Sequence, residues 1–201
     1  MPDRLEADET GVARAAELLR DGQLVAFPTD TVYGIGCRVG DGAALARLFA
    51  AKRRPVEKAV PWLVASLSDA AEHGYAADER AVALAERFWP GALTLVLPAS
   101  RDAGTQAFRV PDHAVALALI AAAGPLAVSS ANRSGEPETV DADDVAIAFA
   151  DSDEPAAIVD GGRVPGGEAS SVLDLAGARA RLVREGALAR AQIEAVIGPI
   201  D

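Results

Sequence analysis

The sequence Leu-Val-Ala-Phe-Pro-Thr-Asp-Thr-Val-Tyr-Gly-Ile-Gly-Cys at residues 24–37 joins an apolar run to a polar turn. The run 24–27 predicts a short buried strand. The turn that follows it carries the hydroxyl groups of Thr29 and Thr31. Because open α/β sheets bind ligands beyond the ends of their strands, this stretch predicts an α/β fold with a binding site directly after the strand.

Predicted helices and strands alternate in the first half of the chain and give way to closely spaced strands in the second. Helices are predicted to begin after the N-cap residues Thr10, Asp41 and Ser66. Further strands are predicted at 60–65, 93–97, 107–110, 126–128, 157–159, 172–175 and 180–183, the sixth of them preceded by Gly166-Gly167. This order favours one α/β domain over residues 1–201 with a mixed sheet.

The composition limits the classes of partner. Half of the 201 residues are apolar, and the net charge is -11. That charge argues against sequence-blind attraction to nucleic acid or to an anionic membrane, although a local basic groove is compatible with it. One cysteine, Cys37, suits a reducing compartment, and the charged N-terminus does not resemble a signal peptide. We therefore expect a cytoplasmic protein.

The segment Ala51–Lys58 holds four cations, among them Lys52 and Lys58, the only lysines of the chain. Taken alone, it fits an anion-binding site and a helix end whose cations complement the helix dipole equally well. Other segments favour the anion site. Hydroxyl and amide groups lie at the ends of three predicted strands, at 29–31, 129–132 and 170–171, and such groups can bind phosphate or carboxylate.

Two arginines, Arg109 and Arg184, each follow an apolar run. In such a position an arginine is either an anion clamp or one half of a structural ion pair, and the local sequence does not decide between them. The P-loop, Rossmann and Gly-x-Ser-x-Gly signatures are missing, and two histidines with one cysteine give no metal-ligand pattern. Many anion-binding groups without an evident nucleophile fit phosphoryl or nucleotidyl transfer, which work by positioning and charge neutralisation.

A series of short motifs occurs along the chain in a characteristic order. They are Phe-Pro-Thr-Asp-Thr-Val-Tyr-Gly at 27–34, Lys-Arg-Arg-Pro at 52–55 with Lys58 behind it, Phe-Trp-Pro-Gly at 88–91, Phe-Arg-Val-Pro-Asp-His at 108–113, Ser-Ala-Asn at 130–132, Asp-Gly-Gly at 160–162, Ser-Ser-Val at 170–172 and Arg-Glu-Gly at 184–186. From about Leu18 to Ala187 the chain thereby resembles the YrdC/TsaC family of threonylcarbamoyl-AMP synthases.

The resemblance implies a YrdC-like α/β fold: a twisted, open, mixed sheet flanked by helices, with a concave anion-binding cavity. It implies a nucleotidyltransferase that converts L-threonine, bicarbonate and ATP, with Mg²⁺ on the nucleotide, to threonylcarbamoyl-AMP and pyrophosphate. The product would serve the N6-threonylcarbamoyladenosine modification of tRNA, which a separate transferase completes. Docking to that transferase complex and direct contact with tRNA are left open.

The resemblance also assigns roles to individual positions. The threonine-binding residues would be Thr31, Arg109, Val128 and Ser170, with Val128 acting through its backbone. The ATP-binding residues would be Lys52, Arg54, Lys58, Thr105, Ser130, Asn132 and Arg184. Lys52 and Arg54 would be the catalytic residues, because attack on the α-phosphate builds negative charge that cations stabilise.

The chain departs from the family pattern at two positions, and two other functions stay open. Leu63 stands where some members have a histidine, and Ser171 stands where threonine is frequent. Because the chain ends at Asp201, it resembles the short form, so closure of the cavity is expected from elsewhere. The alternatives are a paralogue that forms another carbamoyl adenylate, and a non-catalytic RNA-binding module, against which the acidic net charge counts.

Overall fold

The computed structural model describes residues 2–55, 58–101, 104–164 and 168–201. Its strands are β1 (Asp3–Glu6), β2 (Val25–Phe27), β3 (Gly34–Arg38), β4 (Trp62–Leu63), β5 (Leu93–Pro98), β6 (Thr105–Arg109), β7 (Leu126–Ser130), β8 (Ala157–Asp160), β9 (Ser171–Asp174) and β10 (Arg181–Arg184). Its helices are α1 (Glu9–Arg20), α2 (Gly42–Ala51), α3 (Leu67–Glu72), α4 (Glu79–Phe88), α5 (Ala114–Ala123), α6 (Ala142–Ala148) and α7 (Arg190–Ile197). Val56 and Glu57 of the cationic segment, and the predicted Gly166-Gly167 lead-in, lie outside the described residues.

The strands form one mixed sheet in the order β1-β8-β2-β3-β7-β4-β6-β5-β9-β10. β1 and β2 pair with β8 in parallel, as do β4 with β6 and β5 with β9, while the other neighbours pair antiparallel. The prediction of a mixed α/β sheet flanked by helices is therefore confirmed.

Helices cover both faces of the sheet, as β2 illustrates. Ala26 packs into a cluster with residues of α2 and α6, such as Leu48. Val25 and Phe27 point to the opposite face and pack with residues of α1 and α5, such as Leu19. Because successive side chains of a strand point to opposite faces, a short, wholly apolar strand satisfies both clusters. In the described part of the chain, no helix is long and apolar enough to cross a membrane.

Some elements differ from the sequence predictions. α1 is capped by the Asp8 carboxylate, which accepts a hydrogen bond from Gly11 N at 2.8 Å, rather than by Thr10. The sequence does not predict β1, because its residues are mostly charged. Those charges suit the edge of a sheet, where Arg4 binds Asp160 at 2.7 Å.

β3 occupies part of the stretch that was predicted as a polar turn. The strand was not predicted because two of its residues are glycines. A Cβ atom on Gly34 or Gly36 would lie 2.6 Å and 2.7 Å, respectively, from a methyl group of Val128 on the neighbouring strand β7. Glycine weakens the local propensity for a strand, but only glycine leaves room for this side chain.

Candidate active site

A cavity of about 720 Å³ is lined by residues within β3 to β7, β9 and β10 and by the loops next to these strands. Eight of the residues predicted from the resemblance line it: Thr31, Arg54, Lys58, Arg109, Val128, Ser130, Ser170 and Arg184. They come from distant parts of the sequence. The sheet order brings them together, since β7, β4, β6 and β5 lie between β3 and β9.

Arg109 forms a rigid, buried wall of the cavity. Its Nε donates to Gly91 O at 2.9 Å, and its two terminal nitrogens donate to Thr31 Oγ1 at 2.9 Å and to Asp30 Oδ1 at 2.6 Å. The ion-pair interpretation of Arg109 is therefore confirmed. Because a guanidinium group has five N–H donors, it can also present donors to a carboxylate in the cavity.

The turn after β2 holds Thr31 in place. Thr29 Oγ1 donates to Val32 O at 2.6 Å and lies 3.1 Å from Thr31 Oγ1. Both threonines are buried and line the cavity. The Thr29 hydroxyl thus binds the backbone of the turn, and the Thr31 hydroxyl accepts from Arg109. These contacts fix the orientation of both hydroxyl groups in the cavity.

Ser170 and Arg184 form another part of the cavity lining. Ser170 Oγ shares a hydrogen bond of 2.8 Å with Thr94 Oγ1, and Ser170 O accepts from Arg184 Nε at 3.1 Å and from a terminal Arg184 nitrogen at 2.7 Å. Gly186 lies so close to this segment that a Cβ atom would be 2.1 Å from Ala169 O. The Arg-Glu-Gly motif therefore positions both Arg184 and Ser170.

The close approach at Gly186 leads to a testable expectation. Gly186→Ala is expected to lower the free energy of unfolding by about 1–3 kcal/mol, because the added methyl group meets backbone atoms that cannot move independently. Urea denaturation measures this change. Gly42→Ala is the matched control, since a Cβ atom there has nothing within 4 Å, and it is expected to be neutral or stabilising because Gly42 lies in a helix. Equal stabilities of the two variants would contradict the packing role of Gly186.

Lys52 lies behind the cavity wall rather than in its lining. It caps the C-terminus of α2, is 2% exposed, and its Nζ donates to Ser130 O and Asn132 O. Its own carbonyl accepts from Ser134 N at 3.0 Å. Burial lowers the pKa of Lys52 to about 8, with the charge of Arg54 adding to the effect. Lys52 thus ties the 130–134 segment to α2, and its contact with phosphate stays a prediction.

Arg54 and Lys58 present the cationic side of the cavity. Arg54 donates through Nε to Lys58 O at 3.2 Å and through a terminal nitrogen to Ala59 O at 2.8 Å. Burial, and then the nearby charge of Arg184, lower the pKa of Arg54. Thr105 and Asn132 do not line the cavity: Thr105 is exposed at the start of β6, and Asn132 is buried and donates to Glu136 O at 2.6 Å.

Asp30, Thr94 and Glu138 are among the lining or supporting residues that were not assigned a role from the sequence. Asp30 and Thr94 lie inside the quoted motifs or next to them, so a partner for Arg109 and a partner for Ser170 could have been sought there. Glu138 follows Glu136 in an acidic loop and carries no distinguishing local signal. Burial raises the pKa of Glu138, while Arg184 and Lys52 oppose that rise.

In the described ranges, the side chains that could ligate a metal do not form clusters. No group of three or more histidine, cysteine, aspartate or glutamate residues there could hold a metal ion. Mg²⁺ that binds together with a nucleotide commonly takes its ligands from phosphates and water, with only one or two carboxylates from the protein.

The sequence is similar to a known protein family and to individual members of it. The sequence model of the Sua5/YciO/YrdC family, described as telomere recombination, matches residues 17–186. The chain is 43% identical over 208 residues to the threonylcarbamoyl-AMP synthase of Bacillus subtilis, covering 98% of this chain and 60% of that protein. It is 39% identical over 201 residues to a putative threonylcarbamoyl-AMP synthase of Mycobacterium tuberculosis, covering 96% of this chain and 92% of that one.

A solved structure extends the comparison to the fold. The crystal structure of P. abyssi Sua5 complexed with L-threonine superimposes with a TM-score of 0.89 at 39% identity, covering all of this chain and 62% of that one. The chain thus spans about three fifths of the length of this protein and of the Bacillus relative.

Proposed function

We propose that this chain, which belongs to the Sua5/YciO/YrdC family, makes threonylcarbamoyl-AMP and pyrophosphate from L-threonine, bicarbonate and ATP. The observation that carries the proposal is the cavity itself. One wall holds the buried guanidinium of Arg109, while Arg54, Lys58 and Arg184 add cations elsewhere in the lining. Such a cavity suits an amino acid carboxylate together with a nucleoside triphosphate.

In this proposal the threonine carboxylate binds Arg109 and the hydroxyl of Thr31. Ser170, oriented by Thr94, contacts the remaining polar groups of the amino acid, and Val128, which lines the cavity, contacts it through its backbone. The crystal structure of P. abyssi Sua5 is a complex with L-threonine, which supports threonine as the substrate here. Discrimination against other amino acids would rest on pairing buried hydroxyl groups, since leaving them unpaired is costly.

The nucleotide is proposed to bind along Arg54, Lys58, Ser130 and Arg184. The amine of threonine combines with bicarbonate, releasing water, to give a carbamate. A carbamate oxygen then attacks the α-phosphorus of ATP, and pyrophosphate leaves with the electron pair of the broken P–O bond. Arg54 and Lys52 stabilise the charge that builds on the phosphates, which is the main means by which such sites accelerate transfer.

Pyrophosphate release from ATP tests the proposal. It is expected to require both L-threonine and bicarbonate, since the carbamate is the attacking group. Release that needs carbamoyl phosphate instead of threonine would indicate a paralogue with another acceptor. ATP binding without any turnover, combined with RNA affinity that falls steeply as salt is added, would indicate a binding module.

The setting of the reaction is part of the proposal. We place the enzyme in the cytoplasm, which suits its single cysteine, and its product in the N6-threonylcarbamoyladenosine modification of tRNA by a separate transferase. Pull-down of purified transferase components with and without tRNA would show whether the product is passed on within a complex.

A further inference from the structure

The loop after β8 packs against the turn between β2 and β3. Because β2 and β8 pair in parallel, both segments begin at the same edge of the sheet. The Tyr33 hydroxyl donates to Gly162 O at 2.8 Å and accepts from Gly161 N at 3.1 Å. A Cβ atom on Gly161 would lie 2.7 Å from Pro28 Cγ. Gly161 therefore contacts the turn at both of its ends, since Pro28 is the first residue after β2 and Tyr33 is the last before β3.

The residues between these two ends face the cavity. Thr29, Thr31 and Val32 line it, and Thr31 Oγ1 accepts from Arg109 at 2.9 Å. Tyr33 itself is completely buried and lies outside the lining. It can therefore affect a ligand only through the neighbouring residues of the turn.

The backbone of Tyr33 is held as firmly as its hydroxyl. Tyr33 N donates to Thr139 O at 2.9 Å, and Tyr33 O accepts from Ala131 N at 2.7 Å. Burial raises the pKa of Tyr33 to about 12, so the hydroxyl keeps the proton that it donates to Gly162 O at neutral pH. These contacts together fix the end of the turn that follows Thr31.

We propose that Tyr33 is a positioning residue for L-threonine: its hydroxyl, bound to the Asp-Gly-Gly motif at 160–162, holds the turn so that Thr31 meets the substrate beside Arg109. The proposal gives a role to this motif, whose residues do not line the cavity. It rests on the proposed function. A residue that only stabilises the fold would change the amount of active enzyme, whereas a positioning residue changes the apparent affinity for one substrate.

Tyr33→Phe tests the proposal, because it keeps the aromatic ring in the core and removes the hydroxyl. Gly161 and Gly162 are exposed, so water can take over their hydrogen bonds and the fold is expected to persist. In assays of pyrophosphate release, the KM for L-threonine is expected to rise about tenfold, because Thr31 is no longer held in the binding geometry. The KM for ATP, measured at saturating threonine and bicarbonate, is expected to stay within about twofold of the wild-type value.

A second variant and a matched control accompany this measurement. Gly161→Ala disturbs the same contact at the other end of the turn, since the added methyl group forces Gly161 and Pro28 apart, and it is expected to raise the KM for threonine selectively as well. Tyr75→Phe is the control for the loss of a hydroxyl. Tyr75 lies outside the cavity lining and packs edge-on against Trp62 and Phe108, so both KM values are expected to stay unchanged.

The outcomes separate the inference from the proposed function. A wild-type KM for threonine in Tyr33→Phe, or an equal rise in the KM values for threonine and ATP, would overturn the positioning role while the proposed function stands. If wild-type protein releases no pyrophosphate with threonine and bicarbonate, the proposed function fails and the inference fails with it.

Discussion

Lys52→Met is expected to lower the turnover number about 100-fold or more while changing the free energy of unfolding by less than about 2 kcal/mol. The ammonium group donates hydrogen bonds to the carbonyls of Ser130 and Asn132, behind the part of the cavity that is proposed to bind the phosphates. Methionine has a similar length and removes the cost of burying a charge, which offsets the loss of these hydrogen bonds. The kinetic effect should therefore far exceed the effect on folding.

The role of Lys52 predicts opposite effects of rising pH on turnover and on stability. Burial lowers its pKa to about 8, so the ammonium loses its proton and turnover is expected to fall as the pH rises above about 8. Between about 8 and the ordinary value of 10.5, the unfolded chain binds more protons at this group than the folded one. The contribution of Lys52 to stability therefore rises with pH across this window, by up to about 3 kcal/mol.

Comparing wild type with Lys52→Met isolates this contribution. Burial raises the pKa of Cys37 to about 11 and that of Tyr33 to about 12, which lowers stability as the pH rises through 9–12, but equally in both proteins. Arg53→Gln serves as the charge-matched control for activity, because Arg53 is exposed and pairs with Asp151 at the surface. Turnover in Lys52→Met close to that of Arg53→Gln would contradict the role of Lys52.

Arg109→Gln is expected to destabilise the fold by about 3–5 kcal/mol and to abolish threonine-dependent turnover. The substitution leaves the carboxylate of Asp30 without its charge partner at a site where the two side chains are only 8% and 16% exposed. It also removes the donors proposed for the threonine carboxylate. Denaturant unfolding and pyrophosphate release measure the two effects.

The double variant Asp30→Asn/Arg109→Gln separates those effects. It carries no buried charge at this pair, and the carbonyl oxygen of the introduced asparagine can still accept the hydrogen bond that Asp112 N donates to Asp30 at 3.0 Å. Stability is therefore expected to recover by about 1–3 kcal/mol, while turnover with threonine stays absent. Recovery of both would mean that Arg109 acts only in folding.

Much of the fold followed from apolar periodicity and cap residues, but packing between distant segments did not. The strand at 93–97 and the helix capped by Ser66 were predictable because their signals are local. β3 was hidden because its glycines reflect contact with Val128, which is 94 residues beyond Gly34 in the sequence. A single sequence does not reveal such a pairing.

The site shows the same limit. The motifs identified Arg109 and Arg184, yet their partners Asp30 and Ser170 O became apparent only once the sheet was assembled. The burial of Lys52 was equally unpredictable, since an ammonium group bound by two carbonyls has the same sequence signature as one that faces solvent. Glu138 was not predicted as a lining residue because nothing in the local sequence distinguishes it from the other acidic residues, of which the chain has 30 in all.

The cavity is lined by segments that lie far apart in the sequence, so it forms late in folding. Thr31 and Arg184 line the same cavity but lie 153 residues apart in the sequence, so a nascent chain lacks the complete cavity until β10 is in place. Such non-local contacts slow folding. ATP would then bind only the finished fold and, at 100 times its Kd, stabilise it by about 2.7 kcal/mol.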